Sequence, residues 1–81
     1  MIPYLEELYE KLSAEYSVTY YTELSGEHVL HDCFILNGFC IKLDRLDVDT
    51  LSSEDMVILL NAIHDTYKML IKEWEALGHA T

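Results

Sequence analysis

Eighty-one residues make one domain, and 51% of them are hydrophobic, enough for a single core. Fifteen Asp and Glu stand against five Lys and Arg, a formal charge of −10. That balance excludes direct binding to DNA, RNA or an anionic membrane, all of which need cationic neutralisation, and it imposes a self-repulsion that the core must overcome.

Met1-Ile2-Pro3-Tyr4 offers no basic region followed by an apolar run, so the start of the chain does not read as a signal peptide. No stretch approaches the roughly 18 continuous apolar residues of a membrane span. A cytoplasmic location is expected. There Cys33 and Cys40 stay reduced and serve as small buried or half-buried hydrophobes.

Pro3 suits the first turn of a helix, where its missing N–H costs nothing. Leu5, Leu8, Tyr9, Leu12 and Tyr16 follow at helical spacing, with Glu6, Glu7 and Glu10 on the other face, which predicts a helix over residues 3–15. Residues 17–24 are rich in β-branched and aromatic types and predict a first strand, with 18, 20, 22 and 24 on one face. Ser25-Gly26 is the expected turn, and residues 27–36 the second strand.

Asn37-Gly38 lies between two apolar runs and matches a type I′ turn, whose central residues both need positive φ. A two-residue loop fixes the register of the third strand, residues 39–46. Leu36 faces Phe39, Phe34 faces Ile41 and Asp32 faces Leu43 on the core side. Asp32 is the misfit there and is expected near the rim of the sheet. On the opposite face His31 lies across from Asp44, Cys33 from Lys42 and Ile35 from Cys40. Cys33 and Cys40 are thus diagonal neighbours, about 7–8 Å apart and beyond comfortable disulfide reach.

Ser52 reads as an N-cap, with Glu54 and Asp55 against the positive end of a second helix over residues 53–77 and Gly78 as its stop. Met56, Leu60, Ile63, Tyr67, Leu70, Trp74 and Leu77 alternate steps of four and three along one seam. At 1.5 Å per residue the helix outruns the strands, so its last turns should overhang the sheet. The predicted fold is a single α+β domain of order α-β-β-β-α. Its sheet is a three-stranded antiparallel meander, and the N-terminal helix and the long C-terminal helix pack on one face.

His28, His31, Cys33 and Cys40 invite a metal reading that their placement opposes. No CxxC knuckle is present. His28 points away from His31, and the position across from His31 lies four residues beyond Cys40, roughly 13 Å along the strand. A cysteine nucleophile would need a positive neighbourhood, and the field here is negative. Asp44, Asp47 and Asp49 lack the spacing and the glycine of a calcium loop. No metal, cofactor or catalytic residue is expected.

Carboxylates occur on every element, a surface complementary to the basic groove of a protein that binds nucleic acid. In size, charge and order of elements the chain resembles the small acidic inhibitors that phages make against host defence, anti-CRISPR proteins in particular. The parallel is carried by the helix at residues 3–15, the Asn37-Gly38 hairpin and the helix at residues 53–77, and by no motif. One such family, directed at the single-protein CRISPR nuclease, has a helix, a three-stranded antiparallel sheet and C-terminal helices. Its acidic residues occupy the PAM-reading site. Here one long C-terminal helix replaces two short ones. The resemblance implies a non-enzymatic inhibitor of a basic, nucleic-acid-handling protein, acting as a DNA mimic. Asp44, Asp47, Asp49, Glu54 and Asp55, dense and partly in a loop, are the expected contact residues. The alternative is a small oligomeric adaptor or structural protein, such as a homodimer, that binds through the apolar end of the second helix at Tyr67, Leu70, Trp74 and Leu77.

Overall fold

The computed structural model describes residues 1–79, with elements α1 (Pro3–Ser13), β1 (Val18–Leu24), β2 (Leu30–Leu36), β3 (Phe39–Asp44) and α2 (Ser53–Trp74), closed by a π turn over Glu75–His79. This is the α-β-β-β-α order read from the sequence. The sheet runs β1-β2-β3, antiparallel throughout. The expected β2–β3 register holds at every pair: Leu36 with Phe39, Phe34 with Ile41, Asp32 with Leu43, and His31 with Asp44 on the other face. Asn37 (φ 49°) and Gly38 (φ 93°) both take the left-handed conformation that the tight turn requires.

The elements are shorter than predicted, for local reasons. The first helix stops at Ser13 rather than at 15, because the N–H groups of Glu15 and Tyr16 both turn back onto the Leu12 carbonyl. The second strand begins at Leu30 rather than at 27. A loop over residues 25–29 precedes it, in which the Ser25 hydroxyl accepts from the N–H of Glu27 and Val29, and His28 has φ 63°. Ser52 caps α2 as expected, its hydroxyl accepting the Asp55 N–H at 3.1 Å. The α-helical part of α2 ends at Trp74 rather than at 77, and Gly78 (φ 90°) lies in the wider turn that follows.

Both helices cover one face of the sheet, α1 nearer β1 and α2 nearer β3. Leu5, Leu8 and Leu12 from α1 meet Phe34, Leu36 and Ile41 from the sheet and Met56 and Ile63 from α2, all buried. Leu60, Tyr67 and Leu70 continue the seam at its margin. Trp74 meets Phe39 edge-on at 6.0 Å, and beyond it Leu77 is exposed. The last residue of α2 is therefore still over the sheet, and the expected overhang is confined to the turn over Glu75–His79, within a molecule of 41 × 32 × 18 Å.

Candidate functional site

Asp32 departs most from expectation. It is fully buried rather than set at a solvated rim. Arg45, the next residue on the core side after Leu43, folds back over it. Nη2 and Nε donate to the two carboxylate oxygens at 2.7 and 3.2 Å, and the Tyr20 hydroxyl donates to Oδ1 at 2.6 Å. Burial pushes the Asp32 carboxyl up. The hydrogen bonds from Arg45 and Tyr20 and the guanidinium charge outweigh it and hold the group below the usual carboxylate range. Burial and the same carboxylate push the Tyr20 phenol up to about 12. A carboxylate with these partners is a structural anchor whose oxygens are already engaged.

A second network joins α1, α2 and the hairpin. The Tyr16 hydroxyl bonds Nδ1 of His64, and Nε2 of His64 lies 2.9 Å from the Glu15 carboxylate. The Tyr16 ring also packs on Tyr67, whose hydroxyl accepts from Asn37 Nδ2 at 3.0 Å. Asn37 Oδ1 in turn accepts the Ser17 N–H at 2.8 Å. The ring contact between Tyr16 and Tyr67 interrupts any proton path along this chain. Burial, then Glu15 and Tyr67, raise the Tyr16 phenol above its ordinary value, the reverse of what a phenolate nucleophile needs. Sequence reading missed this cluster, because Tyr16 and His64 are 48 positions apart. It also missed the role of Arg45, although parity with Phe39, Ile41 and Leu43 puts that residue on the core face.

The sheet face away from the helices carries an ion pair, Lys42 with Glu23 at 2.7 Å, and a close polar contact, His31 Nδ1 with the Asp44 carboxylate at 2.9 Å. Both cysteines are free. Cys33 is buried, and burial pushes its thiol up, as expected of an inert core cysteine. Cys40 is exposed rather than half-buried, with the Tyr21 hydroxyl 3.7 Å from its sulfur.

The five candidate carboxylates are all exposed, but they do not share one face. Asp44 points to the open face, where His31 holds it. Glu54 and Asp55 open α2, on the opposite face. Asp47 and Asp49 lie on the connection between. That connection is fastened to the start of α1: the Tyr4 N–H donates to the Asp49 carbonyl at 2.8 Å, and the Leu46 N–H donates to the Tyr4 hydroxyl at 3.0 Å. Its carboxylates are thus presented from a fixed backbone, next to a shallow groove of about 350 Å³ lined by Ile2, Val29, Arg45 and Val48.

Of the apolar candidates on α2, Tyr67 and Leu70 pack against the core, while Trp74 and Leu77 are 47% and 77% exposed. Among the described residues no three His, Cys, Asp or Glu side chains come together as an ion site, and no helix is long and apolar enough to cross a membrane. No protein-family model, curated protein or solved structure matches the chain.

Proposed function

We propose that this chain is a non-enzymatic inhibitor that binds a basic, nucleic-acid-handling protein in the cytoplasm, its carboxylates taking the place of phosphates. One observation carries the reading. Lys42 and Arg45 are each held by a carboxylate, and taking those two pairs from fifteen acids and five cations leaves thirteen carboxylates facing three lysines. The charge is therefore displayed outward rather than consumed inside. A fixed connection presents Asp47 and Asp49 at little ordering cost on binding. An enzyme is disfavoured by the satisfied state of both polar networks.

The test is a pull-down from a host lysate at low and high salt, followed by competition with the captured partner's own DNA or RNA. Asp44, Asp47 and Asp49 are converted together to Asn. The triple variant should bind at least tenfold more weakly, with the loss mainly in association rate, and nucleic acid should displace the wild type. Unchanged affinity, with nucleic acid and this protein bound at once, would refute the mimic surface. A second reading, an adaptor working through the apolar C-terminal end of α2 and the turn after it, rests on the exposure of Trp74 and Leu77. It predicts a complex that survives high salt.

A further inference from the structure

β3 is an edge strand: among the described residues it pairs with β2 alone. The Arg45 N–H donates to the Leu30 carbonyl at 3.0 Å, which marks that pair as a hydrogen-bonded one. Bonded and non-bonded pairs alternate along an antiparallel ladder, so Cys40, Lys42 and Asp44 turn their N–H and C=O groups outward, away from β2. No hydrogen bond from the described residues reaches them.

A groove of about 410 Å³ runs beside this edge. Lys42, Leu43 and Asp44 line it in succession. The side chains of Lys42 and Asp44 lie on the open face of the sheet, so these two residues meet the groove through their backbone. The facing wall is made by Tyr4 and Leu5 of α1, Leu46, and Leu59 of α2, with the Asp32 carboxylate, already bonded to Arg45 and Tyr20, at its floor. Edge strands are commonly guarded by a lysine that discourages pairing. Lys42 is the cation on β3, and its ammonium is held 2.7 Å from Glu23, across the sheet and away from the edge.

We propose that the edge of β3 accepts an extended segment of a partner protein as a fourth strand. Alternate side chains of such a strand point to opposite faces. One set would enter the groove between Leu43 and Leu59 and must be apolar. The other set would lie on the open face beside Asp44. Asp44 is exposed on that face, Glu23 offsets the charge of Lys42 beside it, and the molecule as a whole carries −10. The occupant is thus a segment alternating apolar residues with Lys or Arg. Backbone bonding and pocketed alternate side chains are how added strands gain affinity and selectivity. The choice of basic side chains rests on the proposed function; the use of the edge does not.

The probe is the acetylated and amidated peptide of four Lys-Val repeats, added to isotope-labelled protein at physiological salt. Hydrogen exchange is followed by NMR. The amides of Cys40, Lys42 and Asp44 should exchange at least tenfold more slowly with the peptide bound, while Tyr20 and Thr22, which face outward on the other edge, stay unchanged. Leu59→Arg places a cation in the groove and should weaken binding at least tenfold. A peptide N-methylated at alternate residues keeps every charge but loses its ladder donors, and it should not bind. Absence of protection at the three amides under saturating peptide overturns the proposal. So does equal binding by a block peptide of four Lys then four Val, an outcome that would leave the charge reading standing. Protection present before peptide is added, with the mass of a dimer, would assign the edge to a second copy instead. Loss of competition with nucleic acid in the earlier test would remove the mimic reading and leave strand binding intact.

Discussion

Asp32 occupies a position where strand alternation calls for an apolar side chain, and three polar groups make it tolerable there. Replacing Arg45 with Met keeps much of the packing and removes the charge. A buried carboxylate without its partner costs about 3 kcal/mol at neutral pH, at the lower end of the range because the Arg45 side chain is partly solvated. The pH dependence should also change sign. In the wild type the Asp32 carboxyl sits below its unfolded value of about 3.9. Its contribution is complete above that pH and is lost as pH falls through the native value. Without Arg45, burial dominates and raises the carboxyl above the unfolded value, so stability falls as pH rises through it. Urea midpoints between pH 4 and pH 8 should show a deficit in the Arg45→Met variant that shrinks toward pH 4. A deficit constant across that range would mean that Asp32 is not the group responsible. The misfit at Asp32 was legible in the sequence, but its burial was not, because it depends on Arg45 folding back and on Tyr20 arriving from another strand.

The Asn37-Gly38 hairpin was legible as an element in full, from register to the partners of each residue. A two-residue loop leaves no freedom to slip, and a slip of one residue would turn the whole apolar set to solvent. A Cβ built at Gly38 meets nothing within 4 Å, so substitution there costs only the backbone conformation. Gly38→Ala should lower stability by about 1–2 kcal/mol. Gly38→Asn, which tolerates positive φ better, should recover part of that loss. Equal stability of all three proteins in denaturant melts would show that the turn is not held at φ 93° in solution. Element ends were less legible. The start of α1 has no side-chain cap and relies instead on the Asp49 carbonyl, 45 positions away along the chain from Tyr4. The loop over residues 25–29 gains its length from the Ser25 hydroxyl, a local bond that competes with strand extension.

At the scale of the molecule, thirteen carboxylates against three lysines on a body 41 Å long repel one another throughout it at low salt. The screening length is about 30 Å at 0.01 M and about 3 Å at 1 M. Adding sodium chloride over that range should therefore raise the melting temperature by several degrees, with most of the gain below 0.2 M. The Asp44, Asp47 and Asp49 to Asn variant should start higher and gain less. A melting temperature independent of salt would mean that the carboxylates are compensated in a way their geometry does not provide.

The sequence by itself determined the order of elements, the hairpin register, the cap at Ser52 and the acidic excess. Each follows from neighbours along the chain: periodicity, turn chemistry, or a count of charges. It also placed the seam of α2, because a helix repeats its face every few residues whatever it packs against. Only the tertiary structure decided which seam residues are used up. Tyr67 and Leu70 pack against the margin of the core, while Leu77, in the turn that follows α2, stays outside. Tertiary contacts also joined Tyr16 to His64, closed Arg45 over Asp32 and fastened the acidic connection to α1. The open edge of β3 is of the same kind. Whether an edge is covered depends on where α2 lies across the sheet, and that is set by how the side chains of both layers fit together in three dimensions.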